Sequence, residues 1–410
     1  MALGSDFRRL WTANATSEAG SALAFGAIPL VAVLVLNVAD YQVSLLAALS
    51  GLAAAALALP AGPWIEFRRK RPVMIAADLV RFAALLTVPL AIAFGVLTYV
   101  QLCLVAVAQA TGAIVFNAAS GAHLKALVGA QDRAAANGRF EATFWTANSA
   151  GPALGGAITS WLGVSVTITL DAVSFLLSAL GVRSLRSAEP PPPTRPQDAR
   201  PRRLGEIVDG WRYVMTHAGL RALFLNSQVF GAGMMAASPL LAVLMLRDLH
   251  FPAWQYGLAW GLPCLGGVLG ALALKPLIRL FGERRVLLSA GVGRALWLCL
   301  LAAIPAGVGG LLLVIGVETL ALFGSGVFNP AFATYRMAAT EDRYLSRVIA
   351  CWSISSRTTQ PIGMALGGAL AALTSVRIAL LAAGLVVLAS GALLPWRAAH
   401  DPRREPAAVG

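Results

Sequence analysis

Apolar stretches of about 20 residues follow one another along nearly the whole chain, and this repetition constrains the fold more than any other feature. Of the 410 residues, 58% are hydrophobic and 12% are charged, whereas a soluble domain has roughly half and a quarter. A helix of about 20 apolar residues crosses the hydrocarbon layer of a bilayer, which is ~30 Å thick. The sequence therefore predicts an all-α integral membrane protein with about twelve transmembrane helices.

The positive charges indicate how these helices are oriented. The net charge is +13, and its arginines cluster beside the ends of spans, at alternate connections. Cytoplasmic connections carry this excess of basic residues, so we predict a multi-pass protein of the cell membrane with both termini in the cytoplasm. Arg247 is the main exception on the outer side. This placement argues for the lipid bilayer as the partner and against nucleic acid.

One polar stretch, "SAEPPPPTRPQDARPRR", divides the chain into halves, because four consecutive prolines and several charges do not suit a membrane span. An amphipathic helix on the membrane surface is predicted directly after it. The predicted domains are an N-terminal six-helix bundle, a cytoplasmic linker with that helix, a C-terminal six-helix bundle and a cytoplasmic tail, over residues 1–185, 186–218, 219–398 and 399–410.

The two halves contain related sequences at a constant spacing. "VFN" occurs at Val115–Asn117 and again at Val327–Asn329, and "GPALGGA" (Gly151–Ala157) recurs as "GMALGGA" (Gly363–Ala369). Both pairs are 212 residues apart, so the segments between them have equal length. This indicates two six-helix pseudo-repeats, a layout of transporters built from parallel repeats.

Three stretches, "GPWIEFRRKRP", "GRFEATFWTANSAGPALGG" and "DAVSFLLSALGVRSLR", together resemble the major facilitator superfamily. More narrowly, they resemble its bacterial exporter branch, which includes enterobactin-type siderophore and drug exporters. The resemblance extends over nearly the whole chain. It implies the major facilitator fold and transport of a small molecule by alternating access.

The first stretch resembles the superfamily's loop motif between the second and third spans. Gly62, Lys70 and Arg71 match the motif, Glu66 stands where Asp is usual, and Phe67 replaces the first Arg. A carboxylate near a helix end and neighbouring cations can hold helices together in one conformation and release them in another. The alternative is that these charges only set the orientation of the chain.

The second stretch resembles the antiporter signature of the fifth span. Gly151 and Gly155 lie four residues apart and share a helix face, which lets another helix approach closely, and Pro152 permits a bend. In the superfamily this signature is characteristic of exporters that run against an ion, whereas tight packing alone is the other interpretation. The matching residues are Gly138, Gly151, Pro152, Gly155 and Gly156.

Charged residues inside membrane spans are costly and therefore suggest function. Glu18, Asp171 and Glu318 are the candidates for proton coupling, with Glu18 favoured, although each also suits a structural, hydrogen-bonded role. Glu318 and Arg357 fall near the middle of two spans, where an ion pair between them would be less costly than either charge alone.

Asp78 and Arg81 are three residues apart on one helix, and this spacing predicts a local ion pair. Other polar and aromatic residues are candidates for a substrate cavity. A polar stripe at helical spacing surrounds Glu18 on the first span, and aromatic residues follow on the fifth span, where anchoring at the interface is the alternative. The cavity candidates are Asn14, Ser17, Ser21, Gln109, Phe144 and Trp145.

The function that these observations predict is secondary active transport. We expect proton-coupled efflux of a small amphipathic molecule, such as an antibiotic, a natural product or a siderophore. An importer or uniporter, or a non-transporting membrane sensor, fits the same fold. No phosphate-binding loop for ATP and no catalytic motif occur, so we expect no enzyme activity, no cofactor and no metal. The four cysteines are read as packing residues, and a monomer is expected.

Overall fold

The structure is a computed structural model that describes residues 4–129, 132–187, 189 and 204–396. Within these ranges the chain forms helices joined by short connections, and no β-strand occurs. In chain order the α-helices are α1 (Ser5–Leu23), α2 (Ala27–Leu30), α3 (Asp40–Glu66), α4 (Lys70–Ala93), α5 (Tyr99–Leu127), α6 (Arg133–Leu162), α7 (Val164–Arg183), α8 (Leu204–Thr216), α9 (Ala218–Val243), α10 (Ala253–Gly261), α11 (Cys264–Phe281), α12 (Glu283–Gly293), α13 (Val308–Ala338), α14 (Asp342–Leu373) and α15 (Val376–Ser390).

Ten helical segments of the described chain are long and apolar enough to cross a membrane. Two further helices, α6 and α14, have 30 and 32 residues and carry more polar side chains. The all-α membrane fold that the apolar blocks predict is therefore confirmed. The linker residues 190–203 and the tail residues 399–410 lie outside the described part of the chain, so the predicted domain boundaries stay a prediction.

The helix boundaries follow local chemistry. Thr98 and Ser375 precede α5 and α15, and their side chains accept hydrogen bonds from the N–H groups of Gln101 and Ile378, which are otherwise unpaired at a helix start. Gly163 alone separates α6 from α7, with φ of 86°. That left-handed conformation favours glycine, so the sharp reversal between these two helices depends on it.

The chain divides into two compact units. Unit 1 comprises Met1–Gln197 and Ala242–Leu262, and unit 2 comprises Asp198–Leu241 and Pro263–Gly410. In unit 1, α7 packs against α4 and α1, α5 packs against α3 and α4, and α6 packs between α1 and α10. Helix α10, which follows the midpoint linker in sequence, is therefore part of unit 1.

Unit 2 has its own apolar core, formed around buried side chains that include Leu223, Phe328 and Trp352. Helix α13 packs against α11 and α12, and α14 packs against α15 and against the short helix α8. At the α8–α14 contact the rings of Tyr213 and Tyr344 stack with centroids 4.7 Å apart. The helix that follows the linker is thus joined to the end of α14.

Candidate functional site: a buried charge cluster in unit 1

Arg81 is the centre of a polar cluster inside unit 1. Its Nη1 lies 3.8 Å from Oδ1 of Asp78, one helical turn earlier on α4. Its Nε donates a hydrogen bond to Oε1 of Gln109 on α5 at 3.2 Å, and the Gln109 amide donates back to the Arg81 carbonyl at 2.8 Å. The guanidinium carbon lies 3.7 Å from the ring centroid of Phe175 on α7. Three helices therefore hold this one side chain.

Asp171 enters the cluster from α7. Its Oδ1 accepts hydrogen bonds from the hydroxyl groups of Ser21 on α1 at 3.3 Å and of Ser174 at 3.4 Å. The close approach of α1 depends on Gly20, because a Cβ atom there would lie 2.1 Å from the Ser174 hydroxyl oxygen. The contact between α1 and α7 thus occurs where a serine hydroxyl bridges to a buried carboxylate.

Glu18 completes the cluster from α1. It is half-buried, whereas Asp78 and Asp171 are buried. Both Glu18 and Asp171 interact electrostatically with the Arg81 guanidinium. Within the described residues, neither carboxylate oxygen of Asp78 has a hydrogen-bond partner. Three carboxyl groups from three helices thus surround a single guanidinium group.

This arrangement has a chemical consequence. Three ionised carboxylates and one arginine would leave excess negative charge in a poorly solvated place, which costs free energy unless each charge is paired and hydrogen-bonded. Binding a proton removes part of that excess. Across the described ranges, no group of three or more His, Cys, Asp or Glu side chains has the arrangement of a metal site.

The other cavity candidates lie in two different environments. Asn14 and Ser17 are buried in unit 1, and the Ser17 hydroxyl donates to the Asn14 carbonyl. Phe144 and Trp145 on α6 are exposed, by 44% and 50%, and their ring centroids are 5.5 Å apart. The polar stripe of α1 therefore faces the interior of the unit, and the aromatic pair faces outward.

The antiporter-like glycines of α6 face two different neighbours, of which the first is α1. A Cβ atom on Gly151 would lie 2.4 Å from the Ala22 side chain, and one on Gly155 would lie 1.7 Å from the Leu23 carbonyl oxygen. Gly138, which also matches the signature, has nothing within 4 Å of such an atom. Close packing thus explains the first two glycines and leaves Gly138 unexplained.

The second neighbour of α6 is α10. A Cβ atom on Gly156 would lie 2.4 Å from the Ala253 carbonyl oxygen, and one on Gly257 would lie 2.0 Å from the Pro152 carbonyl oxygen. The two backbones therefore meet without intervening side chains. The sequence predicted close packing at this signature, and the structure adds that the signature contacts two helices on different faces.

The loop motif between α3 and α4 is partly described. The side chains of Gly62 and Glu66 lie outside the described part of the structure. The N–H groups of Lys70 and Arg71 donate to the carboxylate of Glu189, the latter at 3.4 Å. Sequence reasoning missed Glu189, which follows the sixth span and supplies the acid that favours a helix N-terminus.

The expected ion pair between Glu318 and Arg357 does not form. Both residues belong to unit 2, but Glu318 is buried and Arg357 is exposed, and no salt bridge joins them. The Arg357 Nε donates to the Ser353 hydroxyl at 3.4 Å instead. Placement near the middle of two spans did not bring the side chains together, because it leaves the rotation of each helix undetermined.

Arg294 is a buried residue of unit 2 that sequence reasoning missed. Its guanidinium carbon lies 3.9 Å from the ring centroid of Phe230 and 3.7 Å from that of Phe328. Its Nη2 donates to the Asn226 side chain at 2.7 Å. The available signal was the repeat, because Arg294 stands 213 residues after Arg81.

Comparisons with known proteins place these features in context. A family model described as "Transmembrane secretion effector" matches residues 4–407. The multidrug efflux pump Tap of Mycolicibacterium fortuitum is 28% identical over 385 residues, which are 92% of this chain and 91% of that protein. The enterobactin exporter EntS of Escherichia coli O1:K1 / APEC is 26% identical over 245 residues, 59% of this chain and 56% of EntS.

A solved structure shows the same fold. The crystal structure of a bacterial homologue of the iron transporter ferroportin in an inward-facing state aligns with a TM-score of 0.74. The alignment covers 95% of this chain and 100% of that one, at 16% sequence identity.

Proposed function

Since this chain belongs to the transmembrane secretion effector family of the major facilitator superfamily, and is thus a multi-pass transporter, we propose that it exports a small amphipathic molecule in exchange for protons. Its cargo is an antibiotic, a natural product or a siderophore. The direction of transport is supported by the two relatives, a multidrug efflux pump and an enterobactin exporter, and by the antiporter-like signature. We further propose that the protein is a monomer in the inner membrane with both termini cytoplasmic.

The observation that supports proton coupling is the cluster of Glu18, Asp78 and Asp171 around Arg81. Buried carboxyl groups in excess over their counter-charge bind protons more readily than solvated ones. Glu18 is the half-buried member, so it is the group that exchanges protons with water. Asp78 and Asp171 keep the guanidinium in place between α4 and α7.

Helix α1 links proton binding to helix packing. Glu18 attracts the Arg81 guanidinium when it is ionised, and this attraction holds α1 toward α4. Protonation removes it. One turn further along α1, Ala22 and Leu23 contact the glycines of α6. A proton on Glu18 therefore changes the balance between two packing arrangements of α1, and cargo binding favours the other arrangement.

The test replaces Glu18 with Gln, which keeps the size of the side chain but fixes it in a neutral state. Inverted membrane vesicles with an acidic interior should accumulate ethidium through the unaltered protein. Glu18→Gln should reduce this gradient-driven accumulation at least tenfold while ethidium still binds to the purified variant. Glu141→Gln is the matched control, because Glu141 is an exposed residue of α6, and it should transport normally.

Each alternative has a distinct outcome. Unchanged accumulation in Glu18→Gln would remove Glu18 from the mechanism. An importer or uniporter would not accumulate ethidium in acid-loaded inverted vesicles. A non-transporting sensor would leave a deletion strain as resistant to ethidium as its parent.

A further inference from the structure

A groove of about 640 Å³ lies on unit 1 between α4 and α5, with the connection from α3 at one end. Its volume falls within the range of about 300–1,000 Å³ that is usual for ligand sites. The groove exists because small residues line it, among them Ala76 on α4 and Ala108 and Gly112 on α5. The site is separate from the charge cluster, although the stem of Arg81 packs behind Gly112.

The interior of the groove offers no polar group for recognition. Apart from the arginines at its end, Thr111 is the polar side chain among its lining residues, and the Thr111 hydroxyl donates to the Val107 carbonyl of its own helix. Val80 lines the other wall and is 55% exposed. Such a surface suits a hydrocarbon chain and does not suit a polar solute.

The length of the groove matches one leaflet of a bilayer. It extends along α4 from Arg69 to Val80, which at about 1.5 Å per residue is roughly 16 Å. Half of the hydrocarbon layer is ~15 Å thick. A molecule that fills the groove therefore reaches from the membrane surface to about the bilayer midplane.

Positive charge lies at one end only. Arg68 and Arg69 are exposed there, and the Arg69 side chain has no hydrogen bond or ion pair with any described residue. The neighbouring cation Arg71 is already held by the carbonyl of Leu185 at 3.1 Å, and Glu189 covers the N-terminus of α4. The arginine pair is thus the part of this region that faces an anion at the surface.

We propose that the groove binds an anionic phospholipid. One acyl chain lies between α4 and α5, and the phosphate group contacts Arg68 and Arg69. Charge complementarity identifies this occupant, because a zwitterionic lipid would bring a second cation to the arginines. The bound lipid bears on the seam that positions Arg81 and Gln109, and the site is independent of the cargo.

The test measures lipid binding to the purified full-length protein by native mass spectrometry. Phosphatidylglycerol and phosphatidylcholine with identical chains are titrated in parallel, and the unaltered protein should bind the first at least fivefold more tightly. Arg68→Gln/Arg69→Gln should abolish this preference. Ala76→Phe should abolish binding with both arginines present, because it fills the groove. The control Arg183→Gln/Arg186→Gln removes two exposed arginines outside the groove and should keep the preference.

The proposal is overturned if both lipids bind equally, or if the control variant loses the preference as fully as the groove variants. It is also overturned if glycerol 3-phosphate, which has no acyl chains, competes with the lipid at equal concentration, since this would indicate a simple phosphate site. If Ala76→Phe does not fold, Ala108→Leu fills the same groove with a smaller change, and unchanged lipid binding in that variant contradicts the proposal.

Discussion

At the scale of single residues, Gly155 and Gly138 match the same family signature but have different surroundings. Any side chain on Gly155 would overlap the backbone of α1, because a Cβ atom there would lie 1.7 Å from the Leu23 carbonyl oxygen. Backbone cannot move aside as the end of a flexible side chain can. Gly138 lies in open space. The signature therefore contains positions with distinct physical roles.

This difference gives a matched pair of variants. Gly155→Ala should destabilise the protein, because overpacking costs about 1–3 kcal/mol, and its melting temperature in detergent should fall clearly below that of the unaltered protein. Gly138→Ala makes the same chemical change and should leave the melting temperature unaltered. Equal melting temperatures for the two variants would show that α1 and α6 do not pack as closely as described.

The charge cluster shows how far the sequence predicts a site. The pair of Asp78 and Arg81 follows from helical spacing, and the structure contains it. Spacing did not predict that Asp171 and Glu18 join the same arginine, because this depends on the packing of α1, α4 and α7. It also predicted a pair between Glu318 and Arg357 that does not form, since spacing within separate helices cannot fix their rotation.

At the scale of helices, the outer ends of the first and seventh spans are built alike. Each span passes into a single wider π-helical turn, at Val31–Val35 and at Leu244–Asp248. Shortly after each turn a residue other than glycine adopts positive φ, 47° at Asn37 and 54° at His250. Such residues are uncommon, so both repeats use the same unusual ending. The apolar blocks predicted the spans but gave no signal for these turns.

Arg247 lies in the second of these turns, and its position explains the exception in the charge pattern. Its guanidinium donates to the Asp40 carboxylate and to the Val38 carbonyl. All three residues belong to unit 1. The arginine on the outer side is therefore paired, and its pairing ties the segment before α10 to the start of α3.

This ion pair predicts a charge-reversal result. Asp40→Asn and Arg247→Gln should each lower ethidium efflux from cells at least threefold, because each leaves a partly buried charge without its partner. The double variant Asp40→Arg/Arg247→Asp should recover at least half of the lost rate, since it restores an ion pair with the opposite polarity. A double variant no better than either single one would show that the pair is not needed for transport.

At the scale of the whole molecule, the two repeats share a framework but differ in charge. Asn14 and Asn226 are 212 residues apart, and Arg81 and Arg294 are nearly so. The acids around Arg81 have apolar counterparts at the same offset, Phe230 for Glu18, Ala290 for Asp78 and Ala383 for Asp171. The repeat therefore predicted the framework of the second half, whereas the proton-binding chemistry is present in the first half alone.

Glu318 tests this asymmetry. It is buried in unit 2 and has no hydrogen bond or ion pair with any described residue, so ionising it would leave an uncompensated charge that costs several kcal/mol. We expect it to stay protonated and not to cycle. Glu318→Gln should therefore keep more than half of the ethidium accumulation in acid-loaded vesicles, whereas Glu18→Gln abolishes it. Loss of accumulation in Glu318→Gln would move the coupling site to unit 2.

The composition of unit 1 has a consequence for how the protein is made. Its first part, Met1–Gln197, is synthesised and inserted before the ribosome reaches Ala242–Leu262, which complete the unit. Until then the face of α6 that carries Gly156 and Pro152 has no partner. A chain that stops at the proline-rich stretch would keep this face uncovered permanently. Maturation of the first half thus waits for a segment encoded in the second.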